Sequence, residues 1–234
     1  MTAELIKLRA LPTPRWTVLG VAAALATALV VGIFRGTGGD DHVLTGLGAD
    51  FPLLIAVLVL GSWLVGLEYG QGTMRRVLTA EPRRRHVVAA KYGVAVLVST
   101  ALTVAVYAVC LAAVPSIASA HDQVPDASLV LRMAVAGVIT NAAAALFAAG
   151  FSFITRSMAG GVTLALVFVL IIDSAISAIP RVGQYTAGQA SVDIYDNVIG
   201  QPDADHGLRA ALVLAAWTLV ITALGALRFT RTDA

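Results

Sequence analysis

Six nearly unbroken apolar stretches, Thr17–Phe34, Phe51–Leu67, Gly93–Val114, Val130–Ile154, Ala159–Ile179 and Ala210–Leu227, alternate with short segments that hold almost all the charge. Each is about as long as an α-helix must be to cross the hydrocarbon core of a bilayer. The pattern predicts an all-α polytopic membrane protein with six transmembrane helices, forming one unit over residues 1–234. Composition agrees. The chain is 58% hydrophobic and only 13% charged, against roughly 45–50% and about 25% in soluble domains. Little is left over for a soluble domain.

The charges sort by side. Four alternate segments hold Lys7, Arg9 and Arg15 against Glu4; Arg75, Arg76, Arg83, Arg84, Arg85 and Lys91 against Glu68 and Glu81; Arg156; and Arg228 and Arg231 against Asp233. The opposite loops are net acidic, with nine aspartates against Arg35, Arg132, Arg181 and Arg209. Short loops rich in Lys and Arg stay on the cytoplasmic side, so both termini and the 68–91 island are expected there, in a cell membrane crossed several times. The first span could instead be a cleaved signal peptide ending near Ala24-Leu25-Ala26. Its length and the span after it favour a membrane helix. The single cysteine, Cys110, lies in the third span and allows no intrachain disulfide.

The island has internal order. Gly72 is expected to open a short helix with Met74, Val77 and Leu78 on one face and Arg75, Arg76 and Thr79 on the other. Such a helix rests its apolar side on the membrane while its arginines meet anionic headgroups. Pro82 then breaks it, and Arg83 to Arg85 lead into the third span. Read by charge alone, the same cluster need only orient the chain.

The order of residues resembles that of the membrane subunits of ABC-2 type transporters. After the second span such proteins carry a Glu, a Gly-Thr, a basic residue, a Leu, a Pro, an Arg and a Lys. Here these are Glu68, Gly72-Thr73, Arg75 or Arg76, Leu78, Pro82, Arg85 and Lys91. The N-terminal run with Glu4, Lys7 and Arg9 is similar to the family's interfacial elbow helix, and Phe229-Thr230-Arg231-Thr232-Asp233 to its Phe-x-Arg-x-Asp ending. Two departures are visible. Pro12 and Pro14 interrupt the elbow, and Arg84 stands where relatives often have Ser.

The resemblance implies a permease subunit of an ABC exporter, with a cytoplasmic coupling helix between spans two and three. It also implies an ABC ATP-binding subunit as partner, a second permease chain in an identical or related dimer, and a path lined by spans two and five. Glu68 is then a hinge or transmission residue that bonds neighbouring backbone or a basic side chain; the alternative is a carboxylate that snorkels to the interface. ATP and Mg are expected on the partner and no cofactor on this chain. Independently, a phosphate-binding loop needs Gly-Lys-Ser/Thr. The only lysines here are Lys7, before Leu8, and Lys91, before Tyr92.

Inside the spans, Asp173 is the single acid. Intramembrane carboxylates cost several kcal/mol and mark pathways or cavities. Asp173 and Asn141 are therefore the candidate substrate-path residues. The alternative for Asp173 is a structural pair with Arg181, Asn141 or a backbone group, and for Asn141 a hydrogen bond across helices. Small residues along span four predict close helix packing, within the chain or at a dimer seam. Gln184 to Gln201, with apolar positions at Val192, Ile194/Tyr195 and Val198/Ile199, is expected to form an outer interfacial helix.

Asp41-His42, His121-Asp122 and Asp205-His206 lack helical ligand spacing, and no metal site is expected from them. Nucleic-acid binding is disfavoured because the basic cluster is small and held at the membrane. An intramembrane protease is disfavoured because no span holds His or a second Asp. A non-transporting anchor or sensor subunit is the competing reading. Few aromatics in the spans favour a hydrophobic or amphipathic cargo such as an antibiotic, lipid or peptide.

Overall fold

The computed structural model describes residues 50–118, 127–199 and 206–231. Eight α-helices run through them: α1 Asp50–Gly70, α2 Met74–Ala80, α3 Arg84–Ala118, α4 Ala127–Thr155, α5 Met158–Val167, α6 Asp173–Ser177, α7 Ala187–Ile199 and α8 Gly207–Arg231. No strand occurs among these residues. In hydrocarbon every backbone N–H and C=O must be satisfied within the segment, and a continuous apolar helix does this. Five helical segments are long and apolar enough to cross a membrane: Phe51–Gly70, Arg84–Ala112, Val130–Thr155, Met158–Ser177 and Gly207–Arg231. They coincide with five of the six expected spans. The span at Thr17–Phe34 and the elbow residues Glu4, Lys7 and Arg9 lie outside the described residues, as do the histidine pairs apart from His206.

α4 is the hub, packed against α1, α3, α5, α7 and α8. Ala136, Ala143, Ala144, Ala145, Ala148 and Ala149 are all buried, which lets neighbouring backbones approach closely. The closest backbone approach to α4 is from α1, where a Cβ on Gly61 would lie 2.5 Å from the Ala145 carbonyl oxygen; on α8 one on Gly225 would lie 2.8 Å from the Gly150 carbonyl oxygen. Ser152 Oγ donates to the Ser62 carbonyl at 3.2 Å, and Ser62 Oγ to the Ala148 carbonyl at 3.4 Å, tying α4 to α1. These small residues serve packing within the chain. The outward faces are apolar, with Leu131, Val135 and Ile139 on α4 and Leu208, Leu212 and Leu219 on α8 exposed.

Span five departs from the expected continuous α-helix. Between α5 and α6 the backbone forms a π-helical turn over Phe168–Ile172, and the Asp173 N–H bonds the Phe168 carbonyl five residues back. One extra residue in a turn rotates the downstream helix by about 100° relative to an uninterrupted α-helix. The effect is specific. Ile171 and Ile172 face outward, whereas Asp173 is only 7% exposed.

The helix expected over Gln184–Gln201 is α7, but its buried stripe is Ala187, Ala190 and Ile194, and Val192 is exposed. It docks on α4 and α8 rather than lying free on an interface. Arg209 on α8 fixes it, pairing with Asp193 at 3.0 Å and donating to Gln184 Oε1 at 2.6 Å. Asp196 on the same helix has its carboxyl pushed above the usual carboxylate value, first by burial and then by the Asp193 charge.

Candidate functional site

Two groups of predicted residues come together, at different depths. The first lies where α1 ends and α3 begins. Gly72 has φ +64°, Thr73 N–H bonds the Glu68 carbonyl at 3.0 Å, and Gly72 N–H bonds the Tyr69 carbonyl at 3.2 Å. That pair of bonds around a left-handed glycine is a Schellman stop, which ends α1 and turns the chain along the bundle's end. α2 comes at once. Met74 is buried, Val77 and Leu78 are half-buried against the core, and Arg75, Arg76 and Thr79 are exposed. The predicted two-faced helix is present. Glu81 closes it in an extended conformation, and Pro82 precedes α3.

Behind this helix is a buried ion pair. Lys91 Nζ lies 3.0 Å from Glu68 Oε1 and donates to the Leu64 carbonyl at 2.9 Å. Lys91 is 1% exposed and Glu68 7%. Both belong to the set expected to couple to an ATPase, yet burial keeps them from touching a soluble partner. They join α1 to α3, the two helices that flank α2 in the chain. The basic side chain that Glu68 bonds is Lys91.

The arginine triplet divides in a way the sequence leaves open. Arg84 Nη1 donates to the Phe229 carbonyl at 3.3 Å, in the last turn of α8. A cation there also meets the negative end of the helix dipole. Phe229 is buried against Phe153, with ring centroids 5.1 Å apart. Thus Arg84 and the C-terminal Phe hold one another, while Arg83 and Arg85 point outward. The accessible face is made of Arg75, Arg76, Arg83 and Arg85.

The second group surrounds a cavity of about 420 Å³ bounded by α1, α4, the π turn, α6, α7 and α8. Asp173 and Asn141 both line it. Asp173 pairs with neither Arg181 nor Asn141 but with a backbone group, the third of the structural partners expected for it. Its two carboxylate oxygens each lie 3.0 Å from the Gly188 N–H, which donates to them at the start of α7. A free N–H and the positive helix end both favour the carboxylate. Asn141 is 2% exposed, and its Nδ2 has no hydrogen-bond partner among the described residues. The cross-helix bond expected of it is not made by that nitrogen.

Sequence reasoning misses the start of α7 as the partner of Asp173. A signal is present in Thr186-Ala187-Gly188-Gln189, a Ser/Thr-x-x-Glu/Gln helix opening. Thr186 Oγ1 accepts from the Gln189 N–H at 3.2 Å. Gly188 has no Cβ, and one placed there would collide with Asp173 Oδ2. Phe147 and Phe168, which wall the cavity, carry no sequence signal beyond being apolar.

A family model described as ABC-2 family transporter protein matches residues 1–172, well over half of the chain. The chain belongs to the ABC-2 transporter family. No curated protein matches it. Membership makes it a multi-pass membrane component of a transporter and implies an ABC ATP-binding subunit as its associate. The matched residues take in α2, the Glu68–Lys91 pair and Asn141, and end one residue before Asp173.

Proposed function

We propose that this ABC-2 chain is the permease subunit of an ATP-driven exporter in the cell membrane, with its arginine-rich end in the cytoplasm. A separate ATPase subunit binds ATP and Mg. Two permease chains, identical or related, enclose the path for a hydrophobic or amphipathic cargo such as an antibiotic, lipid or peptide. The observation that carries this reading is the accessible α2–Arg83–Arg85 face, set in the chain between α1 and α3, two spans that the buried Glu68–Lys91 pair ties together. Force applied to α2 then reaches two spans that are tied to each other. In this reading α2 is the coupling helix, Gly72 and Thr73 set its angle, and Glu68 with Lys91 transmits its movement.

The test is transport and ATP hydrolysis by the complex reconstituted in vesicles. Arg85→Glu is expected to leave the chain inserted while export per ATP hydrolysed falls at least about tenfold, the loss of one charge-assisted contact being worth roughly 1.5–3 kcal/mol. Glu68→Ala is expected to uncouple as well, with lowered thermal stability. Unchanged export in both variants removes the coupling role.

A further inference from the structure

The cavity holds one buried carboxylate and no compensating cation. Lys, Arg and His are absent from its described lining, and Asp173 forms no ion pair among the described residues. Its two oxygens share the single Gly188 N–H, although a carboxylate offers about four acceptor positions. Asn141 Nδ2 also lacks a partner in a site from which solvent is largely removed. An unmet donor there costs about 1–3 kcal/mol. A ligand bearing both a cation and a hydrogen-bond acceptor answers both deficits.

The remaining walls set the rest of its chemistry. Phe147 and Phe168 stand 5.6 Å apart between ring centroids, with Met133 and Leu214 among the other lining residues. At about 420 Å³ the space falls in the range of small-molecule sites. Aromatic faces near a carboxylate also favour a cation. The π turn contributes directly, since it turns Asp173 inward while its neighbours Ile171 and Ile172 face out.

We infer that this cavity, within a single chain, is a binding site for amphiphilic cations. The ligand's protonated amine sits against Asp173, its carbonyl or ether oxygen accepts from Asn141 Nδ2, and its apolar body lies against the wall that Phe147 and Phe168 form together. As a statement about cargo this rests on the permease reading. As a statement about binding it stands alone, because the purified chain needs no ATPase to show it.

Tetracaine carries a protonated amine, an ester carbonyl and an apolar body; benzocaine is a neutral ester of the same aromatic core. Binding of each to the full chain in lipid nanodiscs is the experiment. Tetracaine is expected to bind, and Asp173→Asn, which keeps an acceptor for the Gly188 N–H, to weaken it about tenfold. Asn141→Leu weakens it several-fold. Benzocaine does not distinguish wild type from Asp173→Asn. Ala144→Leu, which fills the cavity from α4 without altering charge, abolishes binding of tetracaine and keeps the test decisive if Asp173→Asn does not fold. Equal tetracaine affinity in wild type and Asp173→Asn, or in wild type and Ala144→Leu, overturns the inference. Binding that shows this pattern in a chain that fails to couple to any ATPase rejects the exporter reading and leaves the site intact.

Discussion

Glu68 and Asp173 are buried to the same extent, each 7% exposed, and are held in opposite ways. Glu68 faces a buried lysine on another span. Asp173 faces a backbone N–H at a helix start. A buried carboxylate with a buried ammonium is neutral as a unit, and its geometry joins two helices. A buried carboxylate held by one N–H leaves most of its acceptor positions unmet, so it can still answer a ligand. In the proposed reading the first arrangement is a joint and the second a site.

The largest effect should come from splitting the joint. Lys91→Met leaves Glu68 buried without its ammonium, and a loss of about 3–5 kcal/mol is expected, read as a large fall in the thermal unfolding midpoint in detergent. Adding Glu68→Gln should recover most of that stability, because the stranded charge is what costs. No recovery in the double variant would mean that Lys91 matters for packing rather than pairing.

Breaking the other carboxylate should cost less. Asp173→Ala orphans one N–H at the start of α7, worth about 1–3 kcal/mol, and Asp173→Asn should restore most of it. If Asp173→Ala matches Lys91→Met in the same melting experiment, the two carboxylates are not different devices. Gly72→Ala places a Cβ on a residue with φ +64°, at a cost of about 1–2 kcal/mol. It should also lower coupling by tilting α2, visible as reduced ATPase stimulation by cargo.

The smallest effect concerns Asp196, whose raised pKa has a definite sign. The folded chain holds that proton more tightly than the unfolded one. Its contribution is therefore full below the ordinary carboxylate pKa and is lost as pH rises through the raised value. Asp196→Asn should flatten the pH dependence of the melting midpoint across that window. A profile identical to wild type would show that the group is not perturbed.

The spans and the two-faced helix are legible in the sequence because periodicity and charge are local properties. Met74, Val77 and Leu78 announce their face in seven residues. The Gly72 stop is visible as Gly-Thr after a Glu, though its hydrogen bonds are not. The hidden features depend on contacts distant in sequence. Arg84 and Arg85 look alike along the chain, and only the end of α8 meeting Arg84 separates them. Asp173 is identifiable as an intramembrane acid, but its partner lies on α7, a helix whose sequence reads as a separate surface element. The π turn has no apolar signature of its own, since Phe168–Ile172 reads as ordinary span sequence. Buried amides usually make a hydrogen bond, which is why Asn141 reads as a cross-helix tie; the cavity beside it is why Nδ2 makes none.

The central claim is that the arginine face lies in the cytoplasm and is covered by a separate ATPase. Arg85→Cys tests it most directly, because the sole native cysteine, Cys110, is buried in α3. A membrane-impermeant maleimide should label position 85 in inside-out vesicles and not in right-side-out ones, and the bound ATP-binding subunit should block that labelling. Labelling from the outer side, or undiminished labelling in the assembled complex, would contradict the account.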